Sequence, residues 1–109
     1  MPTAYKVLGQ SAPSATTATT LYTVPSATQA VVSTIAVSNR AATAATYRIA
    51  IRPAGATLAN EHYIAYDSSV AANDSTMLTI GITLAATDVI TVYASTANTS
   101  FSAFGSEIS

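Results

Sequence analysis

Tyr47-Arg48-Ile49-Ala50-Ile51-Arg52 alternates large apolar side chains with small or basic ones. On an extended chain Tyr47, Ile49 and Ile51 share one face, while Arg48 and Arg52 take the other. That period of two is the signature of a half-buried β-strand. Pro53-Ala54-Gly55 follows at once and closes the segment in a turn.

Segments of the same kind lie on both sides. Before it, Leu21-Tyr22-Thr23-Val24 stops at Pro25, which cannot donate to a ladder. Val31 to Ser38 places Val31, Ile35 and Val37 on one face and ends at Asn39-Arg40. After it come His62-Tyr63-Ile64-Ala65-Tyr66, closed by Asp67-Ser68-Ser69, and then the polar turn Ala71 to Ser75. Met77 to Leu84 aligns Leu78, Ile80 and Ile82. Thr87-Asp88 introduces Val89 to Tyr93, and Asn98-Thr99 leads into Ser100 to Phe104. With a short N-terminal segment around Tyr5, Val7 and Leu8, the count is about eight strands.

Ala41 to Ala45 and Ala54 to Asn60 are the only stretches that compete as helix, and both are read as loops. Connections of three to eight residues are too short for parallel crossovers, so the pairing is antiparallel. The expected fold is an all-β antiparallel β-sandwich of about eight strands. A jelly roll, an immunoglobulin-like sandwich and a partly closed barrel all fit the pattern. The predicted core is Ile35, Val37, Ile49, Ile51, Ile80, Ile82 and Val92.

The chain has 109 residues, enough for one domain. Residues 1–20 read as an N-terminal strand followed by a Ser/Ala/Thr-rich arm or linker, and residues 21–109 as the sandwich. Charged residues are 8% of the chain against about 25% in an average soluble domain. Ala, Ser and Thr fill the deficit. With a formal net charge of -1, little electrostatic repulsion keeps copies or partners apart. Such a surface is expected to be covered in the working state.

The same composition excludes several functions. Cys is absent, so neither disulfides nor thiolate chemistry enter. No apolar run reaches the ~18 residues of a membrane span, and no apolar leader follows Met1. Lys6, Arg40, Arg48 and Arg52 are too few for a nucleic-acid footprint.

His62 is the lone histidine, and its neighbour Glu61 would diverge from it on a strand. The acids Glu61, Asp67, Asp74, Asp88 and Glu107 are scattered, which makes a metal site with three or four converging ligands a poor fit. Asp74 and Asp88 read as turn formers. Asp88 and Glu107 as a glycosidase pair would need an aromatic cleft, and the chain has no Trp. Tyr63 and Tyr66, three residues apart, would face opposite ways on a regular strand, which argues against a stacking platform. No catalytic, cofactor-binding or metal-ligating residue is expected, and the chain is read as not an enzyme.

Two segments carry a family resemblance. One runs from Leu21-Tyr22-Thr23-Val24-Pro25 through Ala30 to Ile35 and on to Asn39-Arg40. The other is Leu84 to Tyr93 followed by Phe101 to Glu107. Together they resemble small virion structural proteins of tailed bacteriophages, especially the β-sandwich proteins that decorate and cement the capsid exterior. Similar phrases occur in phage tail, baseplate and fibre-region proteins. The resemblance implies a particle component that touches the major capsid protein or other virion proteins, as a homo-oligomer (dimer or trimer). It places the protein on the virion exterior, after assembly in the host cytoplasm. A carbohydrate- or receptor-binding module is the expectation from a different functional class.

Overall fold

A computed structural model describes residues 3–109. Eight strands follow one another: β1 Thr3–Ser11, β2 Thr19–Thr23, β3 Gln29–Asn39, β4 Ala45–Arg52, β5 Tyr63–Val70, β6 Ser75–Leu84, β7 Val89–Ala94 and β8 Thr99–Ile108. They form two four-stranded sheets in the orders β1-β8-β3-β6 and β2-β7-β4-β5. Every pairing is antiparallel.

The partners β1·β8, β2·β7, β3·β6 and β4·β5 are those of one long hairpin with its bend between β4 and β5. Wrapping that hairpin on itself gives the eight-stranded jelly roll. The choice that periodicity left open among sandwich types is thereby made.

The core lies between the sheets. Ile35, Val37, Ile49 and Val92 are completely buried, together with Val32, Ile90, Phe101 and Ala103. Tyr47 meets Phe101 edge to face, with ring centroids 6.3 Å apart, a favoured aromatic geometry. Ile51 and Ile82 are partly buried against this cluster.

Two apolar positions depart from the predicted register. Val31 is 36% exposed, and Val32 takes its place in the core. The β3 ladder shifts between Val32 and Thr34, so one extra residue reverses the inward-facing parity along the strand. Ile80 is 42% exposed instead of buried. It does lie beside Leu78 and Ile82, but β6 is an edge strand and no strand covers the cleft they line.

Secondary-structure boundaries differ in several places. Asp67 does not end β5; it sits inside it at φ 51, at an irregularity in the pairing with β4. The expected turn at Pro53–Gly55 forms, with Ala54 and Gly55 at positive φ, and His62, expected to open the next strand, instead ends a single 3₁₀ turn, Asn60–His62. These turns pack beside β7 and β4. Ala50 and Thr91, opposite each other on the outward side of their sheet, are nearly buried. Arg52 binds the segment by donating to the Gly55 and Ala56 carbonyls and to Thr91 Oγ1.

The N-terminal strand pairs with β8 from Thr3 to Ser11, and β2 begins at Thr19, two residues before position 21. Between them the small-residue segment is a loop, with Pro13 buried and Thr16 N–H donating to the Ala94 carbonyl. Gly9 lets β1 lie close to β2: a methyl group there would overlap the Leu21 carbonyl oxygen.

Candidate functional site

The polar residues weighed in the sequence resolve into separate local roles. His62 ends the second 3₁₀ turn, where its Nδ1 accepts from the Ala59 N–H at 3.0 Å. Glu61 precedes it on the same turn, so the strand geometry expected for this pair does not apply. Asp88 accepts from the Ala85 N–H at 2.9 Å and the Ala54 N–H at 2.8 Å, and Asp74 accepts from the Ser75 N–H. Both are turn formers, as their local sequence describes. Among the described residues, no group of three or more His, Asp or Glu converges.

Glu107 has different partners from Asp88. Its Oε2 accepts from Tyr22 Oη at 2.5 Å, and its Oε1 lies 2.7 Å from Lys6 Nζ. Lys6 and the Tyr22 hydroxyl hold the Glu107 carboxyl below the usual carboxylate range. Burial and the same carboxylate push the Tyr22 hydroxyl above the usual tyrosine range. The trio ties β1, β2 and β8 together where the two sheets meet.

Tyr63 and Tyr66 do come together, against the sequence expectation. Their rings meet edge to face with centroids 4.9 Å apart. The pairing of β5 with β4 slips between Ile49 and Ala50 and again between Tyr47 and Ile49, so strict alternation fails along β5. The Arg48 guanidinium stacks on Tyr66, 4.1 Å from the ring centroid, and on Tyr93 at 4.3 Å. Asp67 binds the same guanidinium through both carboxylate oxygens, at 2.7 and 3.3 Å. The product is a preordered strip of tyrosines and one arginine on the outer face of the β2-β7-β4-β5 sheet, with Tyr66 56% exposed.

The other sheet has a contrasting outer face. Register sets Tyr5, Ser106, Val31 and Thr83 in one row across β1, β8, β3 and β6, with Val7, Phe104 and Thr34 in the next. Tyr5, Val7, Val31 and Phe104 are all exposed, and Met77 lies further along β6. No charged residue occupies an outward position in these four strands. Lys6 turns to Glu107, and Arg40 stands at the rim beyond β3, donating to Ser100 Oγ. An apolar cluster in a field of Ser and Thr loses little hydration on contact, which suits association with another protein. Neither this face nor the tyrosine strip was legible as a unit, because each gathers residues from distant strands through bulged registers.

Comparison with protein-family models, with curated proteins and with solved structures returned no match.

Proposed function

We propose that this chain is a structural protein of a tailed-phage virion, a decoration protein that stabilises the capsid exterior by protein–protein contact. The observation that carries the proposal is the uncharged outer face of β1-β8-β3-β6, with Tyr5, Val7, Val31 and Phe104 exposed together. A decoration protein adds contact area across joints between capsid subunits. It needs a rigid body and a face that is cheap to desolvate. The jelly-roll frame supplies the first, and that sheet face supplies the second. The resemblance of Leu21–Arg40, and of Leu84–Tyr93 followed by Phe101–Glu107, to virion proteins points the same way.

The test is stoichiometry in purified particles, followed by Phe104→Lys and Val7→Lys variants. Hundreds of copies, lost with either variant, are expected. A handful of copies would move the protein to the tail, baseplate or fibre region, and absence from particles would overturn the virion reading.

A second reading, a carbohydrate- or receptor-binding module, is favoured by the Tyr63–Tyr66–Arg48–Tyr93 strip. Jelly rolls serve lectins as well as capsids, and aromatic faces stack on sugar rings. Retention of the isolated domain on immobilised glycans, abolished by Tyr66→Ala, would favour this reading over the first.

A further inference from the structure

The two sheets end in four edge strands, β1 and β6 in one and β2 and β5 in the other. Natural edges refuse foreign strands by being short, charged, bulged or covered. β2 has five residues, and β1 lies against it. β1 carries Lys6 and a register shift. β5 carries Asp67 and two register shifts. β6 differs: it is ten residues long, with no charge and no proline, and its protection is confined to one point, Ile80-Gly81, where its pairing with β3 shifts register and Gly81 kinks at φ 55. A side chain added at Gly81 would meet nothing within 4 Å.

β6 also borders an apolar cleft of about 350 Å³, which Leu78, Ile80 and Ile82 line from one side and Tyr47 and Ile64 from the other. Ile64 is 49% and Ile80 42% exposed. This is the open side of the sandwich, opposite the side that β1 and β2 close.

The sequence of the strand says what fits there. Leu78-Thr79-Ile80-Gly81-Ile82-Thr83-Leu84 reads the same in both directions about Gly81. We propose that β6 pairs antiparallel with β6 of a second copy of this chain, about a two-fold axis at Gly81. Ile80 then lies opposite Ile82 of the second copy, Thr79 opposite Thr83, and Leu78 opposite Leu84.

Each pair is chemically matched, and threonine and β-branched pairs are favourable cross-strand neighbours. At a two-fold axis a charged group meets its own copy, so an uncharged strand is what an isologous contact requires. Ten residues span roughly 34 Å. The edge and the cleft beside it form one continuous contact surface, and a specific pairing there must bury about 1,200 Å² in total. The kink falls on the axis, and the ladder runs on either side of it. The contact joins two four-stranded sheets into one of eight and closes the cleft. It stands independently of the virion role, since a dimer forms or fails whether or not the chain decorates a particle.

Because the chain has no cysteine, Met77→Cys gives a single labelling site. Sedimentation equilibrium of the full chain measures the association, and nitroxide labels at that site report the geometry. Residues 77 of the two copies lie eight positions apart along the paired strands, so a label separation of roughly 27 Å is expected. Ile80→Lys, at an exposed position, should keep the circular dichroism spectrum and weaken the dimer at least tenfold. A chain that stays monomeric at about 100 micromolar overturns the proposal. So does a dimer with another label separation, or one indifferent to Ile80→Lys. A monomer whose β6 amides gain exchange protection only when another protein is added would assign the edge to a foreign strand, and would overturn self-pairing too.

Discussion

Tyr22 and Glu107 are 85 residues apart in the chain, yet the Tyr22 hydroxyl donates to Glu107 Oε2 at 2.5 Å. The bond joins β2 of one sheet to β8 of the other, and Lys6 on β1 completes it from the far side of the carboxylate. Three strands, of which only β1 and β8 are paired with each other, are fastened at one carboxylate.

This trio sets a pH dependence. The folded-state pKa of Glu107 is depressed, chiefly by Lys6 and then by Tyr22. Its stabilisation is therefore present above the unfolded carboxylate value of about 4.3 and is lost as pH falls through the folded value. The Tyr22 pKa is raised, so its contribution is present below about 10 and declines as pH rises further. Urea titrations from acid to alkaline pH should show both flanks. Glu107→Gln should flatten the acid flank, and Tyr22→Phe should cost about 1–3 kcal/mol near neutrality. An acid flank unchanged by Glu107→Gln would refute the assignment.

Core and edge positions of similar chemistry should respond differently. Ile49 is fully buried, so Ile49→Ala should cost about 2–5 kcal/mol. Ile80, 42% exposed on an open edge, should cost about 1 kcal/mol or less on the same truncation in the monomer. Chemical denaturation of the two variants side by side measures the contrast. Equal losses would mean that the cleft behaves as closed core.

Gly9 should tolerate no side chain while β1 stays in place. A methyl group at that position would overlap the Leu21 carbonyl oxygen, a backbone atom that cannot rotate away. Gly9→Ala is therefore expected to loosen β1 and leave the other seven strands paired. Hydrogen exchange would report faster amides in β1 and its partner β8. Unchanged protection there would show that the two strands can simply move apart.

The N-terminal segment as a whole is testable by deletion. None of the nine β1 residues is fully buried, so removing residues 1–18 takes from the core only Pro13 and the partly buried Leu8. It does remove Lys6 from Glu107 and exposes the edge of β8. A folded but less stable sandwich that binds its particle more weakly is the expected result. Thermal unfolding and particle binding of the truncated chain measure it. Failure to fold would make β1 an integral strand, and undiminished binding would make it dispensable.

Strand content needed no three-dimensional information. The alternation of Tyr47, Ile49 and Ile51 and the turn chemistry at Pro25, Asn73-Asp74 and Thr87-Asp88 marked most of the strands, because period and breakers are local properties of the chain. Burial of Ile35, Val37, Ile49 and Val92 followed from the same local period. Val31, Tyr63 and Tyr66 escaped it, since a one-residue bulge reverses which side chains face inward and is set by the partner strand. The jelly-roll order, the uncharged sheet face and the union of Lys6, Tyr22 and Glu107 depend on which distant strands pair. Sheet pairing is a non-local choice among many compatible edges, made by burying both inner faces at once, and no window of sequence contains it.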